Sequence, residues 1–144
     1  MKVASITATT IIPRADGVSV AAGTEIPVAE FRAAYTKHPI LLIWGDYIAK
    51  TLDPANAGSP LESRRILVEQ YRLFALAVNK YGGDVTNIIL PDVGVRGNTH
   101  YPMADTNITQ VSRVVSQWLK QKRLDRDGGG GQHDDDDDDH GHRR

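Results

Sequence analysis

One histidine stands in a setting that suits acid–base chemistry. His100 comes ten residues after a β-branched run that ends at Leu90, in a stretch with two glycines, Gly94 and Gly97. Imidazole gains and loses a proton near neutral pH, which makes it the side chain most often used as a general base. In open α/β sheets, ligands bind beyond the carboxyl ends of the strands. The sequence therefore predicts that His100 belongs to a site at such an end.

A carboxylate occupies a similar position earlier in the chain. The continuous apolar run Ile40-Leu-Leu-Ile-Trp44 is closed by Gly45 and Asp46. A carboxylate that accepts a hydrogen bond from an imidazole can hold that ring in a productive orientation. Asp46 is thus a candidate partner for His100. Alternatively, Asp46 could be a helix cap or a loop cap.

The elements that would position both side chains alternate between strand and helix. An unbroken apolar run is typical of a strand covered on both faces, and connections of this length favour parallel strands joined by a right-handed crossover. Ser59 and Pro60 suit a helix start, and Gly82-Gly83 suits a stop. The predicted elements are a strand at 40–44, a helix from 60 to 79, a strand at 85–90, and a last helix capped by Asp105 or Asn107 and running through Leu119.

The N-terminal region is less informative. Residues 1–25 form a poorly defined segment in which Val3 to Ile12 could be a strand, because Val, Ile and Thr favour a pleated surface. A short helix is predicted from Val28 to Tyr35, with Phe31 on its buried side. The organised part of the chain is expected at 26–124.

Charge divides the chain into a body and a tail. The chain has 18 acidic and 17 basic residues, but residues 125–144 alone hold eight acidic and three basic ones, so the body is basic by four charges. A Gly-rich segment followed by six aspartates cannot bury apolar surface, so we expect 125–144 to be a disordered acidic tail. Its histidines and aspartates have no fixed spacing, and no metal site is assigned to them.

Composition also excludes several classes of function. The chain has no cysteine, which rules out disulfides, thiolate zinc sites and cysteine nucleophiles, and leaves the compartment undetermined. The basic residues are scattered and have no interleaved aromatics, so nucleic acid is not an expected partner. No cofactor is predicted, and no membrane span is expected.

Taken together, several motifs resemble the C-terminal portion of α/β-hydrolase esterases over residues 26–124. They are Trp44-Gly-Asp46, Asn79-Lys-Tyr-Gly-Gly-Asp84 and Gly94-Val-Arg-Gly-Asn-Thr-His-Tyr-Pro-Met-Ala-Asp-Thr-Asn107, followed by a helix ending Trp118-Leu119. The resemblance implies a partial α/β-hydrolase fold, a small ester as substrate, and His100 as the general base of a Ser-His-acid triad. In that family the triad runs nucleophile, acid, histidine in chain order.

The chain departs from the family at both of the other triad positions. The nucleophile elbow Gly-x-Ser-x-Gly is absent, and in the family it lies upstream, so the chain resembles a C-terminal fragment. The acid position common in the family holds Ile48, and the alternative position, within Ile6 to Pro13, contains no carboxylate. Asp46 is the best remaining candidate.

Three interpretations follow. The chain could be the C-terminal part of an ester hydrolase that is inactive without the missing elbow. It could be a non-catalytic domain that binds a partner or its own copy through an exposed sheet. It could also be a truncated product without a defined role. All three predict the same local fold for residues 40–124, within an α/β architecture that has a short parallel sheet and flanking helices.

Overall fold

The computed structural model describes residues 3–5, 11–17, 19–21 and 25–125, so the predicted acidic tail lies outside these residues from position 126 onward. The strands are β1 (Val3–Ser5), β2 (Ile11–Pro13), β3 (Ser19–Ala21), β4 (Glu25–Pro27), β5 (Ile40–Trp44) and β6 (Val85–Ile89). The α-helices are α1 (Val28–Tyr35), α2 (Pro60–Lys80) and α3 (Ile108–Gln121), and short 3-10 turns occupy Pro54–Asn56, Leu90–Val93 and Pro102–Ala104.

The centre of the fold is the parallel pair of β5 and β6. Ile40 pairs with Val85 and Trp44 with Ile89, so the two strands are in register over their full length. The predicted strands and their parallel direction are confirmed. Because both strands run the same way, the loops that carry Asp46 and His100 leave the same edge of the sheet.

Each face of this sheet is covered by helices. On one face, Phe31 of α1 and Val78 of α2 form a buried cluster with Val85, and Leu42 packs against it. On the other face, Val111 of α3 packs with Leu90 and Val95, joined by Ile43. Alternate residues of β5 thus enter two different cores, as the pleat of a strand requires. The α/β architecture with a short parallel sheet is established.

Local signals set the ends of α2 and the start of β6. The hydroxyl of Ser59 accepts a hydrogen bond from the backbone N–H of Glu62, which caps the first turn as predicted. At the other end, the side-chain oxygen of Asn79 accepts from the N–H of Val85 at 2.7 Å, and its amide donates to the carbonyl of Val85 at 3.0 Å. These two hydrogen bonds fix the turn that connects α2 to β6.

The N-terminal region corrects one expectation. Membership of Val3 to Ile12 in the parallel sheet, as a possible third strand, is wrong for the residues of this segment that the structure describes. β1 pairs antiparallel with β4, and β2 pairs antiparallel with β3; residues 6–10 lie outside the described part of the chain. Proline and glycine at 13 and 17 favour a tight reversal there, which brings β3 back beside β2. Within the described ranges, no helix combines the length and apolar character needed to cross a bilayer.

Candidate functional site

A buried pair of asparagine side chains holds the loop that carries His100. Asn98 is completely buried. Its amide donates to the side-chain oxygen of Asn107 at 2.6 Å, and its own oxygen accepts from the amide of Asn107 at 2.9 Å. The amide of Asn107 also donates to the carbonyl of Arg96 at 2.9 Å. The two ends of the loop are thereby joined across nine residues.

The carboxylate of Asp105 extends this network to the residue before His100. Asp105 accepts a hydrogen bond from the backbone N–H of Thr99 at 2.8 Å and from the Thr99 hydroxyl at 3.1 Å. The same hydroxyl accepts from the N–H of Tyr101 at 3.1 Å. Both neighbours of His100 are therefore held by hydrogen bonds, so the backbone at the histidine has little freedom.

This network corrects the expected role of two residues. The sequence predicted that Asp105 or Asn107 would cap α3. Asn107 does stand at the N-cap position, but no side-chain hydrogen bond caps the helix. Both side chains point back into the loop, because Asn98 and Thr99 offer them donors that would otherwise be lost on burial. Asp105 and Asn107, whose spacing resembles a helix cap, therefore stabilise the loop instead.

The loop also contacts the end of β5 closely. The N–H of Asp46 donates to the carbonyl of Asn98 at 2.8 Å, and the N–H of Gly97 donates to the Asp46 carboxylate at 3.0 Å. A Cβ placed on Gly45 would lie 1.9 Å from the carbonyl oxygen of Thr99. Only glycine allows the two backbones to approach this closely.

His100 stands at the exposed tip of this rigid loop. Its ring packs at an angle against Tyr101, with ring centroids 4.7 Å apart. Among the described residues, no hydrogen-bond partner of the imidazole is found. An exposed and uncommitted imidazole can accept a proton from a group brought to it.

The structure does not join the two predicted site residues by a hydrogen bond. The Asp46 carboxylate is engaged with Gly97, three residues before the histidine. Asp46 lines a cleft of about 290 Å³ at the ends of β5 and β6, whereas His100 lines a different cavity. The contact between the two residues is thus indirect: Asp46 fixes the backbone from which His100 projects.

The cavity beside His100 lies between β5 and α3 and has a volume of about 550 Å³. Its walls are mainly apolar, and the three polar side chains among them are His100 and two serines of α3. The lining residues are Leu41, Ile43, His100, Pro102, Met103, Ile108, Val111, Ser112, Val115 and Ser116. Nothing in the sequence predicted this cavity, since it depends on how far α3 covers the sheet.

The strongest electrostatic interactions lie away from this cavity. Glu62 is 2% exposed and accepts two hydrogen bonds from the Arg65 guanidinium, at 2.9 Å each, and one from the N–H of Ala15. These bonds, the one from Arg65 first, lower the pKa of Glu62 to about 2, although burial acts in the opposite direction. Arg72 lowers the pKa of Glu69 in the same way. In the part of the chain that is described, no cluster of His, Asp or Glu has the arrangement of a metal site.

Comparison with solved structures finds a likeness to an esterase. The chain is similar to a structure described as the atomic resolution structure of a novel bacterial esterase, with 28% sequence identity and a TM-score of 0.51. The match covers 65% of this chain and 26% of the esterase, so the chain spans about a quarter of that protein's length. No protein-family description matches the chain, and no curated protein matches it. The likeness supports an esterase-like α/β fold.

Proposed function

We propose that the chain is part of an α/β-hydrolase-type ester hydrolase and supplies its general base, His100. The observation that carries the proposal is the buried Asn98–Asn107 network, which holds an exposed, uncommitted imidazole at the carboxyl end of a parallel sheet. Such a network orders ten residues at a cost in conformational entropy. This cost is expected where a histidine side chain must be held in an accurate position. The similarity to an esterase supports the same conclusion.

The chemistry would follow the usual mechanism of a serine hydrolase, in which a serine is the nucleophile and a histidine is the general base. A serine hydroxyl becomes a good nucleophile when a neighbouring imidazole takes its proton as the C–O bond to the ester carbonyl forms. The imidazolium then returns the proton to the leaving alkoxide. The nucleophile of this proposal does not lie within these 144 residues, because they contain no Gly-x-Ser-x-Gly. Ser112 and Ser116 line the cavity, but they lie within a regular helix rather than on a strand-to-helix elbow.

Asp46 enters the proposal as a positioning residue. Its carboxylate accepts from Gly97 and its N–H donates to Asn98, so it connects β5 to the loop of His100. Its role as the triad acid stays a prediction, since its observed partner is a backbone N–H group. A small ester remains the proposed substrate.

The test is a graft onto the similar esterase. The part of this chain that matches the esterase would replace the corresponding quarter of that protein, and hydrolysis of p-nitrophenyl acetate would be measured. We expect the graft to be active and the His100→Ala graft to lose at least ~10³-fold in kcat, as removal of a triad member does. Circular dichroism would confirm that both are folded. Equal rates in two folded grafts would contradict the proposal.

The chain alone provides the complementary measurement. Without a nucleophile elbow it should hydrolyse the ester no faster than free imidazole at the same concentration. A fast reaction that is lost in His100→Ala and in Ser112→Ala would place the nucleophile on α3 and would overturn the division of roles proposed above.

A second candidate function is favoured by the edge of β5. In the described part of the chain, β5 pairs only with β6, and its five residues, Ile40–Trp44, include no charge and no proline. Natural edge strands are usually protected by such residues. The chain could therefore bind a partner strand or its own copy through this edge without catalysing a reaction. Light scattering over a hundredfold range of protein concentration would detect a defined dimer.

A further inference from the structure

Positive charge collects at the amino-terminal end of the parallel sheet. All three helices end there, and each has a basic residue in its last turn. Three more basic residues lie in the segments just beyond α1 and α3. The six cations, here called the basic surface, are Arg32, Lys37, Lys80, Lys120, Lys122 and Arg123. All of them except Lys122 are exposed, so a partner can reach them.

Three of these cations come from different parts of the chain and meet at the turn 81–84, which connects α2 to β6. The ammonium group of Lys122 lies 2.6 Å from a carboxylate oxygen of Asp84. The guanidinium of Arg32 lies 3.9 Å from where a Cβ on the first glycine of the turn would stand. The ammonium group of Lys80 lies 5.9 Å from the ring centre of the turn's tyrosine. The three helix ends therefore share one basic patch.

The helix dipoles account for only part of this charge. The carboxylates at this end of the described chain are Asp84 and Asp125, so the six cations leave an excess of four positive charges (6 − 2). Each helix C-terminus carries about −0.5 charge, so the three ends together offset roughly 1.5 of that excess. More cations are present than the ends of the helices require.

The chain itself supplies a matching anion at this place. Residues 126–144, which lie outside the described part, continue directly from Asp125 and hold seven aspartates and three arginines, a net charge of −4 (3 − 7). The aspartate run 134–139 begins eight residues beyond Arg126. A Gly-rich segment of that length has a mean span of roughly 16 Å, and such a short tether gives a local concentration in the millimolar range.

We propose that the aspartate run 134–139 binds the basic surface of its own chain. Single exposed ion pairs are weak, but adjacent carboxylates that face a cluster of cations act together. The attraction depends on proximity and not on one fixed geometry, so it requires no folded core in the tail. Bound there, the run keeps other polyanions off the surface. The inference does not depend on ester hydrolysis, because His100 lies at the opposite end of the sheet.

A spin label on the tail tests this contact in the full chain. The chain has no cysteine, so Gln132→Cys gives a single attachment point for a nitroxide, two residues before the run. Amide NMR signals of residues near the nitroxide are broadened. At about 10 mM salt, where the Debye length is about 30 Å, we expect broadening at residues 80–84 but not at 96–100. At ~0.5 M salt, where it is about 4 Å, the broadening should disappear.

The tether alone holds the tail near the end of α3, so the control must keep the same tether. Replacing all six aspartates of 134–139 by asparagine preserves the length of the tail and removes the charge of the run. Broadening at residues 80–84 should be at least ~2-fold stronger with the aspartates at low salt. Equal broadening in the two chains, or broadening that persists at high salt, would overturn the proposal.

Two matched pairs of substitutions locate the surface. Lys80→Gln with Lys120→Gln removes two cations of the basic surface and should weaken the broadening at residues 80–84. Lys50→Gln with Arg96→Gln changes the net charge equally, at the carboxyl end of the sheet, and should leave the broadening as it was. All four side chains are exposed, so neither pair removes a core contact. Equal effects would show that only the net charge matters, which contradicts a defined surface.

Two other occupants are distinguished by further measurements. In a mixture of isotope-labelled chain without nitroxide and unlabelled chain with it, broadening at residues 80–84 would assign the surface to the tail of a second copy and overturn binding within one chain. Phosphatidylglycerol vesicles serve as an external polyanion. The chain with asparagines should bind them at least tenfold more tightly than the chain with aspartates, and equal binding would show that the run does not cover the surface.

Discussion

At the scale of single residues, Asn98 is the side chain on which the loop depends most. It is completely buried, and both its donor and its acceptor groups are satisfied by Asn107. A buried amide that loses its partner retains the full cost of desolvation, whereas an exposed one is satisfied by water. The reciprocal pair therefore fixes the loop more firmly than two exposed hydrogen bonds would.

Replacing Asn98 tests this dependence. Asn98→Ala removes both bonds and leaves the amide of Asn107 without its main partner, so we expect a loss of about 2–3 kcal/mol in the free energy of unfolding. Urea denaturation followed by circular dichroism would measure it. The matched control, Gln117→Ala on the exposed side of α3, should change stability by less than ~0.5 kcal/mol. Similar losses in both variants would contradict the structural role of the pair.

The sequence predicted the position of His100 but not its supports. A glycine-containing loop after an apolar strand is a local pattern, and it predicted that the histidine lies beyond the end of that strand, while the catalytic role of His100 stays a prediction. The roles of Asp105 and Asn107 depend on which donors the folded loop turns toward them, and Asn98 and Thr99 supply those donors. Spacing alone could not distinguish this from a helix cap, because the same residue types serve both purposes.

At the scale of elements, the junction of β5 with the loop depends on the absence of a side chain. Gly45→Ala would bring its Cβ to 1.9 Å from the carbonyl oxygen of Thr99, a backbone atom that cannot rotate away. The loop must then move, and the hydrogen bond from the N–H of Asp46 to the carbonyl of Asn98 must lengthen. We expect a loss of about 2–3 kcal/mol in unfolding free energy, the range of core overpacking.

The Gly45→Ala variant should show where the damage occurs. In amide NMR spectra, the largest shifts are expected at Asp46 and at residues 97–99, with α1 and the first half of α2 little affected. A variant with wild-type stability and unchanged signals in the loop would show that the close approach has no structural importance.

The three helices and the two parallel strands were the best-predicted elements of the chain. α1 was predicted with its observed bounds, and α2 ends one residue beyond its predicted end. Their signals are local: a proline at the first helical position, a serine cap and a pair of glycines. Which face of α2 is buried was harder to predict. Leu76 is exposed while Ala75 and Val78 are buried, because close packing against the sheet favours small side chains there.

At the scale of the whole molecule, Glu62 connects α2 to the turn between β2 and β3. Its carboxylate accepts from the N–H of Ala15, and its partner Arg65 donates to the carbonyl of Pro13. The pKa of Glu62 is about 2 in the folded chain, below the ordinary value of 4.5. A carboxyl group with a lowered pKa adds stability above its unfolded pKa, and this contribution is lost as pH falls through the folded value.

The resulting pH dependence is testable with Glu62→Gln. The wild type should exceed the variant in unfolding free energy at pH 6, and the difference should shrink steadily between pH 4.5 and pH 2. Urea titrations at five pH values would trace the two curves. Parallel curves over that interval would show that ionised Glu62 does not stabilise the fold.

The long-range arrangement could not be predicted from the sequence. Val3 to Ile12 has the composition of a strand, but composition does not choose between a parallel partner far along the chain and an antiparallel partner nearby. The observed ladders of β1 with β4 and of β2 with β3 use nearby partners. Closing a short loop costs less entropy than closing a long one, which favours such pairings.

The one-sided pairing of β5 has a practical consequence for handling the protein. Among the described residues, this edge offers only uncharged backbone groups and apolar side chains, so ionic strength would have little direct effect on a contact between two edges. Dilution is then the effective means of keeping the chain monomeric during storage. Concentrated stocks should be the first to lose material to precipitation.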